Sequence, residues 1–251
     1  MELFTGVGVA LLTLLAPDGG VDAAATGELA ADLERRGIRA VLACGTTGEP
    51  ATLSDAERAE VIAAARAAVT VPLIAGTGAP TAARAAALTA QAVGAGADAI
   101  LAWPPPGSED LPGYFAAVAG AAAGRPVLAY HFPKVSAPGV PVQALADLPV
   151  IGVKDSSGDP NRLLEELTQY AGATYTGSSA LLTLAGLSGA AGAILAAANV
   201  EPELCRAAFG GDGGAQRALA EVHLAGRAGG PPALKQILAQ RHGMSALSRA
   251  S

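Results

Sequence analysis

A short apolar run followed by a helical segment recurs eight times between residue 6 and about residue 205 of this 251-residue chain. Runs that are this short and this apolar indicate strands buried on both faces of a parallel sheet. Strands that alternate with helices at this spacing favour right-handed crossovers. Eight such units in about 200 residues fit a closed (β/α)8 TIM barrel better than an open doubly wound sheet.

Apolar periodicity, capping residues and turn residues place the individual elements. The clearest helix start is Ser54, which with Glu57 has the spacing of a capping box. The strands are predicted at 6–14, 40–43, 71–76, 99–102, 127–130, 151–154, 174–176 and 192–196. The helices are predicted at 21–36, 54–69, 81–93, 111–122, 142–148, 161–170 and 181–187, with one more beginning near residues 199–201. Two further helices, at 218–224 and 232–240, lie beyond the repeat. Residues 1–205 are therefore predicted to form the barrel and residues 206–251 a short C-terminal helical extension.

Composition excludes several classes of partner. The formal net charge is −6 and no basic cluster offsets it, which argues against nucleic acid. The apolar run at 7–16 is too short to span a bilayer and follows no basic segment, so neither a membrane anchor nor a signal peptide is predicted. Cys44 and Cys205 are too few for a disulfide framework, and they fit a reducing cytoplasm.

Motifs for common cofactors are missing from the sequence. No G-x-G-x-x-G follows the first strand, and there is no G-x-x-x-x-G-K-[ST]. The three histidines, His131, His223 and His242, are scattered, and no acidic cluster stands at a strand end. We therefore expect no metal and no nucleotide site of these two kinds.

Lys154 ends the sixth predicted strand, at the edge where barrel enzymes carry their chemistry. An apolar strand end lowers the pKa of a lysine by desolvation, and an unprotonated amine attacks a ketone to give an imine. Taken alone, a strand-end lysine whose amine reaches water is the commoner case. The other strand ends decide between these readings.

Two of those strand ends carry groups that imine chemistry needs. Tyr130 ends the fifth strand, and its phenol can donate and accept a proton, although a core tyrosine would fit equally well. After the second strand, the N–H groups of Gly45 to Gly48 and the hydroxyls of Thr46 and Thr47 would suit a substrate carboxylate. The same four residues also suit a plain tight turn.

Three motifs together carry a family resemblance. They are G-T-T-G-E at 45–49, Y-x-x-P at 130–133 and G-x-K-D at 152–155, supported by the stretches 6–13 and 192–203. In this order and spacing they resemble the dihydrodipicolinate synthase / N-acetylneuraminate lyase family of class I aldolases, over residue 5 to about residue 205. The resemblance implies a (β/α)8 barrel that forms a homo-oligomer, a tetramer or a dimer.

The resemblance also implies a role for each candidate residue. Lys154 would form a Schiff base with pyruvate or another 2-oxo acid, which makes a further cofactor unnecessary. Tyr130 would be the acid/base group, Thr47 its relay, and Thr46 with its neighbouring amides the carboxylate site. By its place in the eighth strand, Ile194 is expected to line the pyruvate pocket through its backbone. His131 stands where the family often has asparagine, so it either touches the substrate or bonds to backbone.

Two departures from the family pattern bear on the second substrate. Dihydrodipicolinate synthases usually carry tyrosines in the loop after the fourth strand, where this chain has Trp-Pro-Pro-Pro at 103–106. They also carry an arginine soon after the Y-x-x-P proline, where this chain has Lys134, a point charge without a bidentate fork. The chain is also shorter than the family norm, mainly after residue 205.

The departures count against lysine biosynthesis and leave several functions open. The first prediction is a pyruvate lyase that cleaves or forms an aldol with an aldehyde or sugar acid. A dihydrodipicolinate synthase, a 2-keto-3-deoxy sugar-acid aldolase or dehydratase, and a non-catalytic barrel that binds a 2-oxo acid are alternatives. An unrelated barrel that binds phosphate near strands seven and eight, through 177–179 and 186–192, is a further one.

Overall fold

The computed structural model describes residues 2–250, and within them eight parallel strands close into a barrel in sequence order. The strands are β1 (Gly6–Ala10), β2 (Val41–Ala43), β3 (Leu73–Gly76), β4 (Ala99–Ala102), β5 (Val127–His131), β6 (Gly152–Asp155), β7 (Ala173–Thr176) and β8 (Gly192–Leu195). The barrel closes where Gly6–Val9 of β1 pairs with Gly192–Leu195 of β8. The predicted (β/α)8 TIM barrel is confirmed.

Helices cover the outside of the barrel. They are α1 (Ala23–Arg35), α2 (Asp55–Ala68), α3 (Ala82–Gly94), α4 (Leu111–Ala121), α5 (Pro160–Gln169), α6 (Leu182–Leu187), α7 (Pro202–Phe209), α8 (Gly213–Ala218) and α9 (Ala220–His242). The capping box predicted at Ser54 is present, since its side chain accepts from the Glu57 N–H and the Glu57 carboxylate accepts from the Ser54 N–H. The helix predicted between β5 and β6 is a 3-10 helix at Val142–Asp147.

The first strand is shorter than its apolar run predicts, because β1 ends at Ala10. The Leu11 N–H still donates to the Leu42 carbonyl at 2.9 Å, but the Leu12 N–H turns to the side-chain oxygen of Asn199 at 3.0 Å. Leu11, Leu12 and Leu14 all stay buried after the chain leaves the sheet. Burial alone therefore does not mark where the strand ends.

The apolar core has two layers, because side chains alternate along each strand. One layer fills the barrel itself, with Leu42, Ile74, Leu101 and Leu128 among its members. The other lies between the strands and the helices and contains most of the remaining buried apolar side chains. At the carboxyl ends of the strands, the side chains of this inner layer lie at the mouth of the barrel.

The C-terminal extension is mostly one kinked helix. The boundary predicted at residue 205 falls inside α7, so we propose that the barrel unit ends at Phe209. The helix predicted at 218–224 starts at the last residue of α8 and continues into α9, and the one predicted at 232–240 lies within α9. α9 is interrupted at Gly230 (φ 58°) before Pro231 and Pro232. The kink follows from proline, which lacks an N–H and clashes with the preceding turn. α9 packs on the turns that follow β2, β7 and β8, so it covers part of the barrel mouth. Within residues 2–250, every helix is too short or too polar to cross a membrane.

Candidate active site

A cavity of about 300 Å³ opens at the carboxyl ends of the strands, where barrel enzymes carry their chemistry. Five of the predicted site residues line it: Thr46, Thr47, Tyr130, Lys154 and Ile194. They come from β5, β6, β8 and the turn after β2, so closure of the barrel brings together residues that are distant in sequence.

Lys154 is buried at the floor of this cavity, with 4% of its surface exposed. In the strand register it stands beside Tyr130 of β5, and its Nζ lies 4.6 Å from the centre of the Tyr130 ring. Among the ion pairs of residues 2–250, none involves Lys154. Burial lowers the pKa of Lys154 to about 7. A large fraction of the amine is therefore unprotonated, and nucleophilic, near neutral pH.

The phenol of Tyr130 is buried in the same place. Burial raises the pKa of Tyr130, and the neighbouring hydroxyls of Ser156 and Thr46 oppose that shift in part. The phenol is therefore protonated at neutral pH and able to donate its proton. The family resemblance implies Thr47 as the relay to Tyr130, whereas the hydroxyls that lower the pKa of the phenol are those of Ser156 and Thr46. Thr47 lines the cavity beside it.

A single 3-10 turn, Thr46–Gly48, forms the candidate carboxylate site. The Gly48 N–H donates to the Gly45 carbonyl at 2.8 Å, while the first N–H groups of such a turn have no acceptor within it. Gly45 and Gly48 themselves do not line the cavity, and both are closely packed. A Cβ on Gly48 would lie 3.1 Å from the Thr13 hydroxyl, and one on Gly45 would lie 2.8 Å from Leu42.

His131 does not line the cavity, and of its two alternatives the structure shows the hydrogen bond to backbone. Its Nδ1 accepts from the Val140 N–H at 3.1 Å, and burial lowers the pKa of His131 to about 4, with the charge of Arg162 adding to the shift. The physical reason is the alternation of a strand: because Tyr130 points into the barrel, His131 points out toward the surrounding chain.

Glu49, the last residue of G-T-T-G-E, links the turn Thr46–Gly48 to the C-terminal extension. It is buried in a left-handed conformation (φ 54°), and its carboxylate pairs with the amine of Lys235 from α9. The same carboxylate accepts from the Ser248 hydroxyl and from the Ala250 N–H. Burial raises the pKa of Glu49, but these bonds outweigh it and hold that pKa below its usual value. The sequence offered no signal for this contact, because Lys235 lies so far along the chain.

Several cavity residues lie outside the predicted imine site, although Ser178 and Ser179 belong to the stretch 177–179 named above for phosphate binding. Ser156 follows Lys154 by two residues, and strand alternation would have placed it on the same side. Ser178 and Ser179 come from the turn after β7, and His223 and Arg227 from α9. No local signal in α9 indicates that it covers the barrel mouth. Among residues 2–250, no group of three or more His, Cys, Asp or Glu side chains is arranged to hold a metal ion.

Comparison with known proteins gives a consistent picture. A model described as the dihydrodipicolinate synthetase family matches residues 3–223. The 4-hydroxy-tetrahydrodipicolinate synthase of Methylococcus capsulatus is 39% identical over 230 residues, which are 85% of this chain and 77% of that protein. The crystal structure of dihydrodipicolinate synthase from Aquifex aeolicus superposes with a TM-score of 0.87 at 30% identity, covering 98% of this chain and 91% of the other. YagE of E. coli K12, a prophage protein of the dihydrodipicolinic acid synthase family solved with pyruvate, gives 0.90 at 25% identity, covering 100% and 93%.

Proposed function

The chain belongs to the dihydrodipicolinate synthetase family and is a carbon–carbon lyase, and from that premise we propose that Lys154 forms an imine with pyruvate. The observation that carries the proposal is the buried Lys154 amine, with its pKa lowered to about 7, in register with Tyr130. A buried lysine without an ion pair is costly to a fold, which supports a chemical role.

The proposed reaction assigns a task to each of the five predicted residues that line the cavity. The free amine of Lys154 attacks C2 of pyruvate, and loss of water gives the imine. Removal of a C3 proton then gives an enamine, whose C3 attacks the carbonyl carbon of an aldehyde; hydrolysis releases the product and returns the amine. Tyr130 moves the protons, with the Thr46 hydroxyl beside it. The N–H groups and hydroxyl at Thr47 bind the pyruvate carboxylate, and the backbone of Ile194 lines the pocket.

Two identities for the aldehyde stay in competition. Relatives named 4-hydroxy-tetrahydrodipicolinate synthase favour aspartate semialdehyde as the second substrate. Against it stand the tyrosine-free loop at 103–106 and Lys134 in place of an arginine. These two departures favour an enzyme that cleaves or dehydrates a sugar acid or another aldol of a 2-oxo acid. The non-catalytic alternative is a barrel that only binds a 2-oxo acid. A phosphate-binding barrel is the other alternative, and it would not explain the buried Lys154.

Proton exchange at pyruvate tests the proposal without knowledge of the aldehyde. In deuterated water, an enzyme that forms the enamine replaces the methyl protons of pyruvate with deuterium, which NMR follows directly. We expect exchange with the wild-type chain and only the uncatalysed background with Lys154→Ala. Background exchange with folded wild-type protein at saturating pyruvate would contradict the proposal. Consumption of pyruvate with aspartate semialdehyde, and its release from 2-keto-3-deoxy sugar acids, then separate the two identities.

The proposal includes a homo-oligomer in the cytoplasm. Cys44 and Cys205 are both buried and free, which fits a reducing compartment. Light scattering on the eluting protein measures the assembly, and a monomer would contradict the oligomeric part alone.

A further inference from the structure

The cavity carries more positive charge than pyruvate requires. Besides Lys154, its lining contains Arg227 and Lys134, while no Asp or Glu within residues 2–250 lines it. A pyruvate carboxylate occupies one anion site, at the turn of Thr46 and Thr47. The remaining cations therefore suit a second anionic group in the same cavity.

Arg227 has no acidic partner among the residues that the structure describes, and neither has Lys134. Other arginines of this acidic chain do pair, for example Arg36 with Glu203 at 2.7 Å and Arg249 with Glu57 at 2.7 Å. An unpaired guanidinium at a cavity wall keeps all its donors for a carboxylate or a phosphate.

One face of α9 borders the cavity. His223 and Arg227 are four residues apart, so they lie on the same side of the helix, toward the cavity. Gly226 and Gly230 of α9 line the cavity as well. A Cβ on Gly226 would lie 3.5 Å from Leu234, so this position is filled by packing within α9.

His223 is held in place by the turn after β7. Its Nδ1 lies 2.9 Å from the hydroxyl of Ser179, and burial lowers the pKa of His223, with the charge of Arg227 adding to the shift. The ring is therefore neutral at pH 7. With Nδ1 as acceptor of the Ser179 hydroxyl, the Nε2–H is left to donate. Ser178 adds a second hydroxyl on the same wall.

We propose that Arg227, together with the Ser179–His223 pair, binds an anionic group of the electrophile that meets the enamine on Lys154. The second substrate is therefore an aldehyde that carries a carboxylate or a phosphate, held at its far end by α9. This inference rests on the proposed function, because it presupposes an enamine on Lys154.

Matched aldehydes test the inference. With pyruvate saturating, condensation is measured with glyceraldehyde, glyceraldehyde 3-phosphate and 4-oxobutanoate, which are respectively neutral, phosphorylated and carboxylated. We expect kcat/KM for one anionic aldehyde to exceed that for the neutral one by at least about tenfold, and the better of the two identifies the anion. In Arg227→Gln, KM for that aldehyde should rise by about 10- to 100-fold, the worth of a charge-assisted hydrogen bond. Kinetics with glyceraldehyde should stay within about twofold.

Three further variants make the assignment specific. Arg217→Gln removes an exposed arginine that does not line the cavity, and it should leave all three aldehydes unchanged. Arg227→Lys should restore part of the lost affinity, because the charge returns without the bidentate fork. If Lys134→Gln, rather than Arg227→Gln, abolishes the preference for anions, the subsite belongs to Lys134 and the inference is wrong.

Proton exchange at pyruvate distinguishes a failure of the proposed anion subsite from a failure of the proposed function. Every Arg227 variant should keep wild-type exchange, because the enamine forms before the aldehyde binds. Normal exchange without any preference for anionic aldehydes would overturn the subsite and leave the proposed function standing. Loss of exchange in the wild-type protein itself would instead overturn the proposed function.

Discussion

Lys154 and Tyr130 stand side by side on neighbouring strands, with the amine nitrogen 4.6 Å from the centre of the phenol ring. Both side chains are buried, and burial acts on them in opposite senses: it lowers the pKa of the lysine and raises the pKa of the tyrosine. At neutral pH this pair therefore offers a free amine and a neutral acid in contact. That is the protonation state in which an amine attacks a carbonyl and a neighbour protonates the oxygen.

The pH dependence of the first step follows from Lys154. Because only the unprotonated amine reacts, proton exchange at subsaturating pyruvate should rise with pH and level off above a midpoint near 7, the pKa of the buried amine. Rates measured by NMR across pH 5 to 9 would give the midpoint. A rate that still climbs at pH 9, as for a lysine with an ordinary pKa near 10.4, would show that Lys154 is not desolvated.

The same pKa has a consequence for stability. Between pH 7 and about 10.4 the unfolded chain binds a proton that the folded Lys154 lacks, so the free energy of unfolding should rise with pH over that range. Lys154→Met removes this dependence and should stabilise the protein most at or below pH 7, by at most about 5 kcal/mol. Urea unfolding of both proteins at pH 7 and pH 9.5 measures the difference. A destabilised Lys154→Met at pH 7 would contradict the assignment.

Tyr130→Phe separates proton transfer from binding. The variant keeps the ring that packs against Lys154 but loses the hydroxyl, so turnover should fall by about 10²- to 10⁴-fold, the usual worth of a positioned acid/base group. Thermal stability should change little, since only the hydroxyl is removed and the ring still fills its place. Equal turnover in the variant and the wild type would remove Tyr130 from the mechanism.

The buried ion pair between Glu49 and Lys235 should contribute most of the stability that holds α9 against the turn Thr46–Gly48. Lys235→Met leaves the Glu49 carboxylate buried without its cation, which should cost about 3–5 kcal/mol of unfolding free energy. The matched control is Arg84→Gln, which breaks the exposed pair with Asp55 and should leave the unfolding free energy almost unchanged, because water screens an exposed pair. Similar losses in the two variants would show that the buried pair does not tie α9 to the barrel.

The barrel and the central lysine were predictable from the sequence because both depend on local patterns. Eight apolar runs fixed the number of strands, and the position of Lys154 at the end of one run fixed its place at the mouth. Tyr130 and His131 show how far such a pattern reaches. They are neighbours on one strand, so the placement of Tyr130 inside the barrel already required His131 to face outward.

What the sequence did not reveal depends on contacts between distant segments. The run at 6–14 is buried throughout, and only the hydrogen bond from the Leu12 N–H to Asn199 shows that the strand has already ended. The helical pattern of α9 predicts a helix but not the surface on which it packs. Only the tertiary structure therefore shows that His223 and Arg227 line the cavity. The same holds for the ion pair of Glu49 with Lys235.

Reductive trapping tests the central claim most directly. Borohydride added to the protein with saturating pyruvate reduces an imine to a stable amine, and peptide mass spectrometry locates it. We predict a 1-carboxyethyl group on the peptide that contains Lys154, absent without pyruvate and absent from Lys154→Ala. An unmodified Lys154 at saturating pyruvate, or a label confined to Lys134 or Lys235, would contradict the account.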